Sequence, residues 1–154
     1  MELKKAVFED CPLIHRMQVK AFSSLYEKYR DDATSPAKET EERIREKFLQ
    51  PYTGYFLIIT DSGETAGAVR VTDRGDGSRK RISPIFILEE YRNRGLASAA
   101  IGELERLYGK DHWALDTILQ EEGNCRLYER LGYRRTGKQQ KINDRMDIVF
   151  YEKN

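Results

Sequence analysis

The segment RNRGLASAA, residues 92–100, combines arginines, a glycine and a run of small side chains. Gly95 can adopt backbone angles that other residues resist, and small neighbours leave room for another group. The first N–H groups of a helix have no intrahelical partner and carry the positive end of its dipole. Arg92 and Arg94 add full charges with a fork suited to phosphate oxygens. The segment predicts an anion-binding helix start, or else a surface helix with a solvated basic rim.

The composition predicts one domain spanning residues 1–154. A chain of 154 residues can bury one sizeable core, and its 34% of charged residues indicates a soluble protein. The formal charge of +1 favours neither nucleic acid nor membrane as a partner. No long apolar run follows the lysines of MELKKAVFED, so we expect no secretory signal or membrane span and a cytoplasmic location.

The cysteines and histidines give no metal-type spacing. Cys11 and Cys125 are far apart in the chain, and His15 and His112 have no His or Cys neighbours at ligand spacing. We therefore expect reduced cysteines and no metal site.

The apolar periodicity predicts alternating elements. Asp10 is a candidate N-cap for a helix with Pro12 in its first turn, and glycines mark the later turns. The pattern predicts strands at 2–8, 54–60, 64–73, 78–88, 112–119, 133–137 and 145–153, and helices at 11–29, 37–50, 95–109 and 122–132. This order predicts an α/β fold: a mixed, mostly antiparallel sheet of about seven strands with helices on both faces.

The order of elements and the motif RNRGLA resemble the GNAT superfamily of acetyl-CoA-dependent N-acetyltransferases. Its signature is Arg or Gln, two residues, Gly, one residue, then Gly or Ala, and Arg92, Gly95 and Ala97 satisfy it. LYERLGY, residues 127–133, matches a second family pattern downstream. The resemblance covers nearly the whole chain. It implies transfer of an acetyl group from acetyl-CoA to a primary amine of a small molecule or protein.

The resemblance also implies a cofactor site. The backbone amides of residues 93–98 would hold the coenzyme A pyrophosphate. The preceding strand, splayed from the next one, would offer backbone groups to the pantetheine arm and an N–H to the thioester oxygen. Glu121 stands where the family commonly has an asparagine, so either Asn124 compensates or the cofactor is held differently. The implied cofactor-binding residues are Ile85, Phe86, Ile87, Arg92, Asn93, Arg94, Gly95, Leu96, Ala97, Ser98 and Asn124.

Two catalytic residues follow from the same resemblance. Tyr128 matches the family tyrosine that donates to the coenzyme A sulfur; its other interpretation is an aromatic anchor for a short helix. Asp116 falls where the family often has a glutamate, and we expect a general base or a water organiser there. A polar residue at an exposed strand end fits Asp116 equally well, and Glu27 or Asp31 is an alternative base.

Other classes of function share these features. An acyl-CoA-binding sensor without activity, or an interaction module, is the alternative to an enzyme. The predicted partners are acetyl-CoA and an amine acceptor, without nucleic acid or membrane, and a homodimer is left open. Asp31, Asp32 and Glu39 favour a cationic amine by simple attraction, although such clusters are often only solvated.

Overall fold

The elements follow one another in the predicted order. The computed structural model describes residues 1–154, and none of its helices is long and apolar enough to cross a membrane. Short 3-10 turns lie at Phe8–Asp10, Pro36–Lys38 and Glu89–Tyr91. The helices are α1 (Cys11–Tyr29), α2 (Glu41–Phe48), α3 (Leu96–Tyr108) and α4 (Glu122–Arg130). The strands are β1 (Glu2–Lys5), β2 (Thr53–Ile59), β3 (Thr65–Thr72), β4 (Lys80–Ile87), β5 (Trp113–Ile118), β6 (Arg134–Asn143) and β7 (Met146–Lys153).

The strands form one mixed sheet, which confirms the predicted fold class. Its seven strands have the order β1-β2-β3-β4-β5-β7-β6. Every neighbouring pair is antiparallel except β4 and β5, which are parallel. A crossover through α3 joins these two strands, as a parallel connection requires.

Both faces of the sheet are covered. In β2, Tyr55 and Leu57 pack with α1 and α2, whereas Phe56 and Ile58 pack with α3 on the other face. Because strand side chains alternate between faces, a sheet covered on both sides needs a continuous apolar run such as that of β2. Cys11 and Cys125 are buried and free, one in each core cluster.

The segment predicted as one helix at 37–50 is divided. The Thr40 side chain accepts a hydrogen bond from the Arg43 N–H at 3.1 Å and caps α2 at its start. The residues before Thr40 form the separate 3-10 turn, in which the Ser35 hydroxyl accepts from the Ala37 N–H. Local capping by hydroxyl side chains therefore starts α2 later than the apolar periodicity predicted.

Strand β6 is longer than the predicted 133–137. It continues through KQQKIN to Asn143, with a register irregularity between Arg135 and Gln139. Between these two positions β6 has two residues more than β7, and Gly137 lies among them with a φ of 94°. The strand lies at the sheet edge and is exposed along most of its length, so it lacks the alternation by which a strand is recognised.

Candidate active site

Strands β4 and β5 diverge after a short region of pairing. Only Lys80 with Trp113 and Arg81 with Ala114 are paired, although β4 continues to Ile87 and β5 to Ile118. The other edge of β4 remains paired with β3 as far as Ile87. The backbone of β4 beyond Arg81 therefore faces a gap, as the family resemblance implied for this strand.

The first cavity lies between β4, the start of α3, and α4. Its volume is about 510 Å³. Residues Phe22 and Leu25 of α1 and Glu121 at the start of α4 contribute to its wall. All the residues that the resemblance implied for the cofactor line this cavity except Arg94: Ile85, Phe86, Ile87, Arg92, Asn93, Gly95, Leu96, Ala97, Ser98 and Asn124.

The backbone at the start of α3 can bind an anion. Gly95 is the N-cap, with φ 76°, and Asn93 also has a positive φ, of 64°. The first hydrogen bond of the helix runs from the Ala99 N–H to the Gly95 carbonyl at 3.0 Å. The N–H groups of Leu96, Ala97 and Ser98 therefore have no helical partner. A Cβ atom on Gly95 would meet nothing within 4 Å. These features fit a pyrophosphate.

The two signature arginines contact the protein itself. Arg92 donates from Nε to the Ile87 carbonyl at 2.8 Å and from Nη2 to the Ala21 carbonyl at 2.9 Å, fastening the end of β4 to α1. Arg94 donates to the Glu90 carbonyl at 3.2 Å and lies over the Tyr91 ring. We expected the guanidinium groups of both arginines to bind phosphate oxygens. In the structure they shape the loop that presents the amides.

A second cavity of about 350 Å³ lies on the other side of the gap. Half of the residues in its wall are hydrophobic, including Ile82 and Phe150, and Pro84 also lines it. The charged residues that line it are Asp31 and Asp116. The residues that line both cavities are Phe22, Leu25, Ile85, Asn124 and Tyr128.

Tyr128 lies where the two cavities meet. Its ring packs against Tyr133 and Tyr151, with both pairs of ring centroids 6.2 Å apart. Burial raises the pKa of Tyr128 to about 12, so the phenol is neutral at physiological pH. Its hydroxyl makes no hydrogen bond to another protein group. Tyr128 is therefore a packed ring whose hydroxyl is free to donate, and its donation to the coenzyme A sulfur stays a prediction.

Asp116 forms an ion pair with Arg81, two residues from the point where β4 and β5 separate. The Arg81 guanidinium is half-buried; desolvation and the like charge of Arg70 lower its pKa. Of the alternative bases, Glu27 is exposed and lines neither cavity, whereas Asp31 lines the second. The sequence did not predict that Asp116 pairs with Arg81, because the residues of β4 and β5 do not indicate that these two strands are neighbours or in which register they pair.

Glu121 and Asn124 have different surroundings. The Glu121 carboxylate accepts hydrogen bonds from the Tyr29 hydroxyl and from Lys28 Nζ, the latter at 2.9 Å. Burial opposes ionisation, but these bonds hold the pKa of Glu121 below its ordinary value. Glu121 thus ties α4 to the end of α1. Asn124, one turn further, lines both cavities and has no such tie.

Sequence reasoning missed the contribution of α1 to the site. Phe22 and Leu25 line both cavities, and Phe22 contacts Phe86 edge-on at a centroid distance of 5.8 Å. The sequence shows these residues only as part of the apolar face of a helix, and a helix that simply packs on the core has the same pattern.

The site thus combines a mixed sheet that opens between two parallel strands, a helix start with free N–H groups beside the first cavity, and a second cavity. Residues 22–133 match the acetyltransferase (GNAT) family. The chain belongs to this family, which uses acetyl-CoA. The expected enzyme class, an acyltransferase that moves acetyl groups to amines, is thereby confirmed. No curated protein sequence matches the chain.

Solved structures share the fold at low sequence identity. Spermidine N-acetyltransferase from Vibrio cholerae, in complex with CoA and spermine, matches with TM-score 0.75 and 16% identity over 97% of this chain and 92% of that one. The Salmonella typhimurium acetyltransferase that modifies the N-terminal serine of ribosomal protein L7/L12 matches with TM-score 0.74 and 18% identity, over 97% and 91%. An acetyltransferase from Thermus thermophilus matches with TM-score 0.72 and 17% identity, over 97% of this chain and 94% of that one.

Proposed function

We propose that this protein acetylates a small primary amine, with acetyl-CoA in the first cavity and the amine in the second. The observation that carries the proposal is the position of Tyr128 and Ile85 on the walls of both cavities, beside the opened edge of β4. The similar structures include enzymes named for spermidine and for a ribosomal protein terminus. We favour a small molecule because the second cavity holds only about 350 Å³.

Acetyl-CoA supplies the acetyl group as a thioester. The acceptor loses one proton from its ammonium form, and the neutral nitrogen then bonds to the carbonyl carbon. The carbon–sulfur bond breaks, the nitrogen loses a second proton and the sulfur gains one, so that one proton is released to solvent overall. The amides of Leu96, Ala97 and Ser98 bind the pyrophosphate, and free N–H groups of β4 orient the acyl end.

Tyr128 stabilises the departing sulfur by donating a hydrogen bond. Its pKa of about 12 lies well above the value of about 8.5 for a thiol, so complete proton transfer is uphill by roughly 5 kcal/mol. The sulfur therefore takes its proton from solvent, while the neutral phenol lowers the barrier without ionising.

Asp116 orders the water that removes the amine proton. A lysine-like amine has a pKa near 10.4, and deprotonating it at neutral pH costs roughly 4 kcal/mol. The Asp116 carboxylate accepts hydrogen bonds from such a water while Arg81 fixes its orientation. The Arg81 charge also disfavours an ammonium ion nearby, which assists the loss of the proton.

Acetyl-CoA should raise the melting temperature of the protein, and thiol release over a panel of amines should detect turnover. Gly95→Ala should weaken acetyl-CoA binding about tenfold or more, because its methyl group enters the cofactor cavity at a strained φ of 76°.

Gly102→Ala is the matched control. It lies in α3 with nothing within 4 Å of its Cβ position and outside the cavities, so affinity should not change. If Gly95→Ala and Gly102→Ala bind acetyl-CoA with equal affinity, the proposed binding of the pyrophosphate at the start of α3 is contradicted. A stabilising acetyl-CoA effect without thiol release from any amine would indicate the non-catalytic sensor.

A further inference from the structure

Asp31 is a buried carboxylate on the wall of the second cavity. Only 7% of the residue is exposed. Its Oδ2 accepts a hydrogen bond from the Thr34 hydroxyl at 2.9 Å, and no protein group donates to Oδ1. Asp31 forms no ion pair, and no lysine or arginine lines this cavity. Half of the carboxylate is therefore free to bind a ligand.

The surroundings of Asp31 favour a cation. Removing a carboxylate from water without a positive partner is costly. Asp31 also follows the C-terminal end of α1, where the helix dipole adds negative potential. Asp116, the other carboxylate of the cavity, already has Arg81 as its partner. A positively charged ligand group would satisfy Asp31, and the protein itself supplies none.

Asp31 lines the second cavity and does not line the cofactor cavity. It is absent from the set of residues that lines both cavities. Its neighbours Thr34, Ser35 and Pro36 instead also line a third cavity of about 340 Å³. That third cavity shares no residue with the cofactor cavity.

The chemistry of transfer separates the anchored group from the reacting group. The attacking nitrogen must be neutral, and a carboxylate beside it without a cationic partner of its own would stabilise its ammonium form, whereas Asp116 is paired with Arg81. We propose that Asp31 binds a second, non-reacting cationic group, so that the preferred acceptor is an aliphatic diamine whose apolar spacer lies along the cavity wall. Phe22, Leu25 and Pro84 provide that wall. This substrate class rests on the proposed function, which places the amine in the second cavity.

Three amines of equal chain length test the proposal: hexamethylenediamine, hexylamine and ε-aminocaproate. By thiol release, kcat/KM should be about tenfold or more higher for the diamine than for hexylamine, with the difference in KM. ε-Aminocaproate should be the poorest acceptor, because its carboxylate meets Asp31. Equal values for the diamine and hexylamine would overturn the proposal.

Asp31→Asn keeps an acceptor for Thr34 and removes the charge, so the ratio of diamine to hexylamine kcat/KM should fall toward one. Asp31→Glu should retain the preference. Asp32→Asn is the matched control: Asp32 is exposed, bonds the Tyr26 hydroxyl and lies outside the second cavity. If Asp31→Asn leaves the ratio of diamine to hexylamine kcat/KM unchanged, or lowers kcat/KM equally for both amines, Asp31 does not bind the second cationic group.

Calorimetric binding of the same amines to the protein saturated with coenzyme A gives a readout that does not need turnover. If the diamine binds more tightly than hexylamine and this difference is lost in Asp31→Asn, binding of a cationic group by Asp31 is supported, whether or not any amine releases thiol. Absence of thiol release from every amine would refute only the proposed function. Equal binding of the diamine and hexylamine would refute the anchor.

Discussion

At the scale of single residues, the proposed mechanism assigns one hydrogen-bond donor to the departing sulfur, the phenol of Tyr128. Tyr128→Phe keeps the ring and its packing against Tyr133 and Tyr151 but removes the donor at the junction of the cavities. We expect turnover to fall roughly ten- to a thousandfold, with acetyl-CoA affinity and melting temperature nearly unchanged. Single-turnover thiol release measures the chemical step.

Tyr128→Ala is the companion variant. It removes a buried ring, so the free energy of unfolding should fall by about 3 kcal/mol or more. Full turnover in Tyr128→Phe would remove the hydroxyl from the mechanism and leave Tyr128 with a packing role alone.

The family resemblance predicted the positions of some residues in the fold but not the groups that they contact. Motif spacing placed Gly95 and Tyr128, because each is needed at a fixed position of a helix. It could not show that Arg92 binds the Ala21 carbonyl or that Asp116 pairs with Arg81. Those contacts join segments far apart in the chain and depend on the tertiary arrangement.

At the scale of elements, the close approach of β3 to β4 depends on Gly67. A Cβ atom there would lie 2.0 Å from the Phe86 carbonyl oxygen, so the backbone of one strand would have to move. Gly67→Ala should lower the free energy of unfolding by about 1–3 kcal/mol. Because β4 also borders the cofactor cavity, acetyl-CoA should bind severalfold more weakly. Urea unfolding and calorimetry measure the two effects.

Gly102→Ala separates this effect from the general effect of adding a methyl group. Its position in the α3 interior is open, and alanine is the better helix former, so stability should rise by about 0.5–1 kcal/mol. If Gly67→Ala is as stable as the parent protein, the contact between β3 and β4 is not tight.

Element boundaries were predictable wherever a strong local signal exists. Glycines bound α3 at both ends, and Pro12 marks the start of α1. The extension of β6 through KQQKIN could not be read from its residues, since both of its faces are largely exposed and its pairing with β7 defines it.

At the scale of the whole molecule, buried phenols link stability to alkaline pH. Burial raises the pKa of Tyr55, Tyr128, Tyr133 and Tyr151, whereas an unfolded tyrosine has a pKa of about 10. The folded state therefore binds more protons above that pH. The stabilisation is complete below about pH 10 and is lost as pH rises through the folded pKa values.

We expect the free energy of unfolding to fall by up to roughly 5 kcal/mol per pH unit once these four phenols are ionised only in the unfolded chain. Urea titrations at increasing pH measure the slope, and Tyr128→Phe should reduce it by about a quarter. The near-ultraviolet absorbance of phenolate can be followed while the native protein is titrated with base. If all four tyrosines ionised at their ordinary pKa of about 10, the prediction would be contradicted.

The brief contact between β4 and β5 divides the backbone network of the sheet. Two residue pairs connect the half that contains β1, β2, β3 and β4 to the half that contains β5, β7 and β6. Hydrogen exchange in such a sheet can follow two cooperative units, each protected by its own ladders. A ligand bound across the gap would contact both units, and we expect it to couple their opening, so that the liganded domain unfolds as one cooperative unit.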